Sequence, residues 1–215
     1  LLVAKFDKSR EIIMRGAYNK LTIVFNSLGL NHFLDIPLGK IAQDHFALFE
    51  HYGEDFEKII QEIFNADHLE DKRDLLDAFF LSKLVGFQEE RLSYAVQAIH
   101  THGGDVSIQK IAKELGISRR TLLRLFHTHL ALSPVEYKSI IKFRRALDIY
   151  QNQVEKTNIS TLSYEANFYD QSDLNFHFKA KTGLSPKQLF STIKTVNQDL
   201  YWKMERVPKF QDNQM

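Results

Sequence analysis

The sequence predicts a mainly α-helical protein, with a small α+β region of a few strands, a helical connecting subdomain and an all-helical C-terminal half. Three observations predict this fold class. Apolar residues near the N-terminus alternate with a period of two, at Leu21, Ile23 and Phe25. From about residue 42 the spacing of the apolar residues becomes helical. In the C-terminal half, one helix-forming sequence pattern occurs twice.

The sequence of residues 1–85 predicts strands followed by helices. LLVAKF and KLTIVF are rich in branched and aromatic residues, which favours strands. Two amphipathic segments follow, around residues 56–64 and 75–84, in which apolar residues recur at helical spacing. The chain begins at Leu1 and enters a predicted strand at once, so we expect further residues ahead of it.

Composition excludes several classes of protein. With no cysteine among 215 residues, the sequence offers no disulfide, no thiolate metal site and no cysteine nucleophile. No apolar run approaches the ~20 residues that a membrane-spanning helix needs, and no secretory signal pattern stands near Leu1. We therefore expect a cytoplasmic protein with no membrane contact.

The net charge of +1 conceals an uneven distribution. Residues 1–85 carry 10 basic and 14 acidic side chains, whereas residues 86–197 carry 15 basic and 10 acidic ones. Residues 198–215 carry three of each and are neutral. A basic half joined to an acidic half is typical of a protein of which only one half meets a polyanion.

From residue 89 onward the sequence predicts only helices, over 89–101, 108–115, 119–130, 134–150, 159–166, 171–181 and 186–192. Gly103 and Gly104 should end the helix over 89–101. Ser107 or Asp105 can provide the N-cap of the helix over 108–115, and Ser118 can provide the N-cap of the next helix. The long helix opens at Pro134, because proline is favoured at the first helical position.

Two segments of this helical half match each other. GISRRTLLRLFHTHLALSPVEY, residues 116–137, and NFYDQSDLNFHFKAKTGLSPKQLF, residues 167–190, share a Leu-x-x-x-Phe pattern followed by Leu-Ser-Pro. After the turn the copies align with an offset of 52, so Phe126 lies over Phe178. Each copy predicts a short helix, a tight turn and a second helix with an apolar inner face, which is the helix-turn-helix motif.

The first motif, about residues 107–130, has a basic outer face. Leu122, Leu125 and Phe126 are spaced i, i+3, i+4 and should pack against the preceding helix. A helix fits the major groove of DNA, where arginine binds guanine through two hydrogen bonds and leucine meets the thymine methyl group. The opposite face therefore supplies our base-contact candidates: Arg119, Arg120, Leu123, Arg124 and His127.

The second motif, about residues 159–182, has a less basic face. Its base-contact candidates are Gln171, Ser172 and Asn175, of which glutamine and asparagine suit adenine. We expect the first motif to supply most of the base specificity. The second motif should position the protein on the DNA and add affinity. Phosphate-contact candidates lie in and between the two motifs: Lys142, Arg144, Lys179, Lys181, Ser185 and Lys187.

Residues 89–192 resemble the DNA-binding domain of the AraC/XylS family of bacterial transcription regulators. The resemblance rests on VSIQKIAKELGISRRTLLRLFHTHLALSPVEY and FYDQSDLNFHFKAKTGLSPKQLF. It implies two helix-turn-helix units joined by a linker helix, here about 134–150, whose recognition helices enter successive major grooves about 34 Å apart. Phe176 stands where the family commonly has arginine, and Asn167 stands where glycine is usual.

The resemblance also implies a domain organisation. Residues 86–197 would form the DNA-binding domain and residues 198–215 a C-terminal tail, after a partial sensor and dimerisation region over residues 1–85. VFNSLGLNHFLDIPLGKI resembles the end of a cupin-like sensor barrel, and the helices after it resemble a connecting subdomain. The implied partners are double-stranded DNA, RNA polymerase, a small-molecule effector and a second copy bound through the N-terminal region. No effector-binding residue is assigned.

Two other functions stay open: a cupin-type small-molecule-binding or enzymatic module, and a protein-interaction scaffold that uses helix-turn-helix units without DNA. Cupin enzymes need several metal ligands on strands, and the strand segments here offer only His32. The pairs His100/His102 and His127/His129 are spaced i, i+2, which suits chelation on a helix poorly. The G-x-S-x-G, phosphate-loop and H-E-x-x-H patterns are missing from the sequence. We expect no cofactor, no metal and no enzyme activity.

Overall fold

A computed structural model describes residues 2–3, 21–42, 46–47, 49–152, 158–197 and 200–203. These residues are mainly helical, as the sequence predicts. A 3₁₀ turn at Gly29–Phe33 precedes the helices α1 (Leu38–Ile41), α2 (Gly53–Asn65), α3 (Leu69–Ser82), α4 (Glu90–Thr101), α5 (Ile108–Glu114), α6 (Arg119–Leu130), α7 (Pro134–Asn152), α8 (Ile159–Glu165), α9 (Gln171–Thr182) and α10 (Pro186–Thr192). The strands form two antiparallel pairs: β1 (Leu2–Val3) with β2 (Phe46–Ala47), and β3 (Ile193–Asn197) with β4 (Leu200–Lys203).

The N-terminal strands differ from the prediction. Of LLVAKF, only β1 is described, and the rest of that prediction lies outside the described residues. Of KLTIVF, residues 21–25 have no regular secondary structure, so the prediction of a strand there is wrong. The side chains of Leu21, Ile23 and Phe25 are half-buried, whereas those of Thr22 and Val24 between them are exposed. The period of two thus marks one apolar face, which packs on α3 where the ring of Phe25 lies 5.4 Å from that of Phe80.

The C-terminal half ends in a strand pair, where the sequence analysis predicts only helices and a tail. In this hairpin Ile193 pairs with Lys203, and Thr195 pairs with Tyr201. Branched and aromatic residues dominate both strands, IKTVN and LYWK, and such residues favour strands. The all-helical prediction is therefore wrong beyond α10, because the helical spacing that supports it ends there.

The chain divides into two compact units, Leu1–Arg145 and Ala146–Met215. The domain boundaries at residues 86 and 198 stay predictions. The first unit is built around buried apolar side chains of α4 to α6, the largest of which are Leu92, Ile99, Ile111, Leu122 and Phe126. The second unit is built around the buried side chains of Leu162, Phe168, Leu174, Phe178 and Leu189.

Within the first unit, the N-terminal segment packs on the C-terminal end of α6. The side-chain amide of the buried Asn31 donates a hydrogen bond to the backbone carbonyl of His129 (3.0 Å). Because the last carbonyls of a helix have no partner within it, this bond caps α6. At the same end, a Cβ on Gly39 would collide with the backbone carbonyl oxygens of His127 and Thr128. Position 39 therefore requires glycine for close backbone approach.

The turns of the two helix-turn-helix motifs share one left-handed backbone conformation. Gly116 and Asn167, which the sequence alignment places at equivalent positions, both have φ 63°. Asparagine tolerates this region better than most residues that carry a Cβ, which explains its presence in the second turn. A Cβ on Gly116 would meet nothing within 4 Å, so only the backbone angle opposes a side chain there.

Replacing Gly116 tests that backbone angle. Gly116→Ala should lower the free energy of unfolding by about 1–2 kcal/mol, which is the strain of a left-handed residue with a Cβ. Gly116→Asn should lower it less, since the second motif accommodates asparagine at the equivalent angle. Urea unfolding followed by circular dichroism measures both changes. Equal losses in the two variants would show that the angle is not the reason for glycine.

Candidate nucleic-acid interface

In the first motif, N-caps and a common core hold α5 and α6. The side-chain oxygen of Ser107 accepts a hydrogen bond from the backbone N–H of Lys110 (3.4 Å), and that of Ser118 accepts one from Thr121 (3.1 Å). Of the two candidates for the first N-cap, the structure therefore selects Ser107 over Asp105, and the predicted N-cap at Ser118 is confirmed. The buried face of α6 consists of the residues predicted to pack inward, with Leu130 added at its end: Leu122, Leu125, Phe126 and Leu130.

The outward face of α6 is basic and open. All five predicted base-contact residues are exposed to solvent: Arg119, Arg120, Leu123, Arg124 and His127. Within the described part of the chain, none of the three arginines on this face forms a salt bridge with a carboxylate. Their charge is thus available to an anion, and a planar guanidinium suits both a phosphate and the edge of a guanine.

In the second motif, Asn158 and Asp170 supply the N-caps of α8 and α9. Asn158 accepts a hydrogen bond from the backbone N–H of Ser160 (3.1 Å), and Asp170 accepts one from that of Asp173 (2.8 Å). Carboxylate and amide oxygens cap helices as well as serine does, so the second motif repeats the first with different cap residues. The buried residues of α9 match those of α6 under the offset of 52: Leu174 and Phe178.

The outward face of α9 contains one large exposed residue besides the predicted base contacts. Gln171 and Ser172 are exposed, whereas Asn175 is half-buried. The side chain of Phe176 is 70% exposed on the same helix. Under the offset of 52 it matches Arg124, a predicted base-contact residue. The internal alignment is therefore the sequence signal that points to Phe176.

The two outward faces differ in charge. α6 presents three arginines, whereas α9 presents Lys179 and no arginine. His177 does not add to this face, because its ring lies 5.4 Å from that of Phe168 and its Nε2 lies 3.4 Å from the Asp173 carboxylate. It takes the inward place that Leu125 occupies in the first motif. The positive charge of the candidate interface is thus concentrated on the first motif.

The predicted phosphate-contact residues differ in accessibility. Arg144, Lys179 and Lys187 are exposed cations. Lys142 is different, because its Nζ lies 3.7 Å from the Asp105 carboxylate and its side chain is only 19% exposed. Much of its charge is therefore already balanced within the first unit.

Ser185 and Lys181 are half-buried. The Ser185 hydroxyl donates to the side-chain oxygen of Gln188 (2.8 Å) and accepts from the backbone N–H of the same residue (3.4 Å). Ser133 and Glu136 form the corresponding pair at the start of α7, with the Ser133 N–H donating to the carboxylate (2.6 Å). These reciprocal bonds are capping boxes. The repeated Leu-Ser-Pro sequence thus opens a helix in both copies.

The side chains of His100 and His129 pack against aromatic rings. The ring of His100 lies 5.8 Å from that of Tyr137, and the ring of His129 lies 5.0 Å from that of Phe87. Burial lowers the pKa of both histidines. In the described ranges, no three histidine or acidic side chains are grouped as a metal site would need. No helix in those ranges combines the length and apolar character needed to cross a bilayer.

Comparison with known proteins shows what this chain is similar to. Residues 111–192 match a family model described as a helix-turn-helix domain. The Msm operon regulatory protein of Streptococcus mutans is 28% identical over 123 residues, which are 55% of this chain and 44% of that protein. The chain thus spans less than half the length of this curated relative. The solved C-terminal domain of AraT, a response regulator from Geobacillus stearothermophilus, aligns with 59% of this chain and 94% of its own, with 19% identity and a TM-score of 0.44. Residues 111–192 therefore carry a helix-turn-helix domain, in agreement with the two motifs that the sequence predicts.

Proposed function

We propose that this chain is a sequence-specific DNA-binding transcription regulator that inserts α6 and α9 into the major groove. The observation that carries the proposal is the duplicated geometry of the two motifs. Each has a capped short helix, a left-handed turn residue and a second helix with one buried and one exposed face. A helix that is held along one side and open along the other is what the major groove accepts.

On α6, the proposed readers of sequence are Arg120 and Arg124. Each guanidinium would donate two hydrogen bonds to O6 and N7 of a guanine. Leu123, which lies between them in sequence and is 40% exposed, would contact a thymine methyl group. Arg119 and His127 flank these three residues and would contact neighbouring bases or phosphates.

On α9, the proposed readers are Gln171, Ser172 and Asn175. Glutamine and asparagine match the donor and acceptor of adenine, and serine bonds to several base edges. Because this face carries Lys179 and no arginine, we propose that it contributes position and affinity while α6 contributes most of the discrimination between bases. The exposed Lys187 would add a phosphate contact in the same unit.

The proposed role involves further partners and no catalysis. RNA polymerase would be the protein partner, in the bacterial cytoplasm. Residues 1–85 would belong to a region that binds a small-molecule effector and a second copy of the chain. The sequence resemblance alone supports these assignments.

The test of sequence-specific binding is selection of bound sequences from random duplex DNA with the full chain. We expect enrichment of an operator with two half-sites, their centres about one helical turn or 34 Å apart. Recovery of random sequences would contradict sequence-specific recognition. Recovery of a single short half-site would contradict the joint use of α6 and α9.

Salt dependence tests the phosphate contacts. Raising the salt concentration fourfold should lower the affinity for the selected operator by roughly tenfold to a thousandfold, because each contact releases counterions from the DNA. Fluorescence anisotropy of a labelled duplex measures this slope. Lys187→Ala, which removes an exposed cation, should reduce the slope by about one unit.

Lys142→Ala is the matched control for that measurement. Its ammonium group already lies beside the Asp105 carboxylate, so its removal should change the slope less. An affinity that does not respond to salt would favour the protein-interaction scaffold instead.

A further inference from the structure

Phe176 lies on the outward face of α9. It follows Ser172 by four residues and precedes Lys179 by three, and all three side chains are exposed. Residues at these spacings share one face of a helix. Leu174 and Phe178 are fully buried in the core of the second unit. The phenyl ring of Phe176 therefore points away from that core.

Its place within the motif is that of Arg124, a predicted base-contact residue. Phe176 is the sixth residue of α9 and Arg124 is the sixth residue of α6. Asp170 and Ser118 cap the two helices through equivalent backbone N–H groups, so the two helices begin in register. Recognition helices contact base edges with residues near their N-terminal ends. The second motif thus places a phenyl ring where the first motif places a guanidinium.

The chemistry of the major groove selects what such a ring can recognise. Thymine alone among the four bases presents an apolar group there, its C5-methyl. A phenyl ring offers no conventional donor or acceptor and contributes chiefly through apolar contact. Its neighbours on this face, Ser172 and Lys179, suit an anionic duplex better than a protein surface, since the cores of protein interfaces are depleted in serine and lysine.

We propose that Phe176 recognises the methyl group of a thymine in the half-site that α9 occupies. The inference rests on the proposed function and adds to it a specificity-determining residue. Discrimination by the second motif then depends on apolar contact as well as on the polar readers Gln171 and Asn175. The two motifs differ in the kind of readout, with arginine on guanine in the first and a ring on a methyl group in the second.

The experiment removes the methyl group and keeps the base pairing. In the duplex selected from random DNA, each thymine is replaced in turn by deoxyuridine. The affinity of the full chain for each duplex is then measured for the natural sequence, Phe176→Ala and Tyr164→Ala. Tyr164 is the matched control, because its ring is 69% exposed in the same unit but lies on α8.

The natural sequence should lose about fourfold in affinity at one thymine of the second half-site, the factor that corresponds to burial of one methyl group. Phe176→Ala should bind the thymine and deoxyuridine duplexes equally at that position. Tyr164→Ala should keep the full difference. Phe176→Leu should keep part of it and gives the same readout if the alanine variant does not fold.

The outcomes separate this inference from the function on which it rests. An affinity for the operator that no deoxyuridine replacement changes would overturn the inference and leave the DNA-binding proposal intact. Failure to enrich any operator would overturn both. A thymine preference that survives in Phe176→Ala would assign the methyl contact to another residue and overturn the role of the ring.

Discussion

Arg124→Ala should weaken binding to the selected operator by about five- to 150-fold, the range that loss of one bidentate contact to guanine represents. The guanidinium is exposed, and no described carboxylate pairs with it, so its removal should leave the fold intact. Anisotropy titration of the variant measures the loss. Unfolding curves that match those of the natural sequence would show that the effect lies in binding.

Asn175→Ala is the matched variant on the second recognition helix. Asn175 is half-buried and belongs to the less basic face, so we expect a smaller loss of affinity than for Arg124→Ala. The comparison also has a sequence readout, since Arg124→Ala should relax the preference for guanine at one operator position. Equal losses in the two variants would contradict the assignment of most base specificity to the first motif.

Phe126→Ala should lower the free energy of unfolding by about 3–5 kcal/mol, the usual effect of truncating a buried phenylalanine. Its side chain is fully buried in the core of the first unit, and its ring lies 5.7 Å from that of Tyr137. Truncation removes apolar burial and leaves a cavity, which together amount to a large part of a typical protein's stability. Urea unfolding followed by circular dichroism measures the change.

Leu123→Ala is the control for this measurement on the same helix. Leu123 lies on the outward face and is 40% exposed, so its truncation should change stability only slightly. The two variants should therefore have opposite profiles, one with lost stability and the other with intact stability and altered DNA binding. Similar unfolding curves for both would contradict the burial of Phe126 in the core.

Much of the helix-turn-helix structure could be predicted because its signals lie close together in the chain. A cap at Ser118, a left-handed turn at Gly116 and an inner face built on Leu122 fall within a few residues of one another. Each is a local backbone or packing requirement that a particular residue type meets. The exposure of the basic face of α6 then follows from helical periodicity.

The failures of prediction have long-range causes. The alternating segment over residues 21–25 has the composition of a strand, but a strand also needs a neighbour to pair with, and its apolar face packs on α3 instead. Likewise, the sequence predicts Lys142 as a phosphate contact. In the structure its ammonium group lies beside the carboxylate of Asp105, which comes from a distant part of the chain. Pairings of this kind leave no periodic pattern in the sequence.

The candidate interface likewise contains residues that helical spacing predicts and one residue that it does not. The five outward residues of α6 could be selected from spacing alone, and all of them are exposed. On α9, the predicted base contacts are all polar and do not include Phe176, which stands where the resembled family commonly has arginine. The alignment of the two copies nevertheless points to this position, since it places Phe176 over Arg124, a predicted base-contact residue.

The amide cap that Asn31 provides has a practical consequence for truncation. The capped carbonyl, that of His129, is 98 residues further along the chain. A fragment that starts at residue 86 would keep both motifs but leave the final turn of α6 without this partner and open to fraying. Loss of this hydrogen bond, which water would partly replace, should lower the free energy of unfolding by about 0.5–1.5 kcal/mol. Expression of the two motifs without the rest of the chain should therefore begin upstream of residue 31.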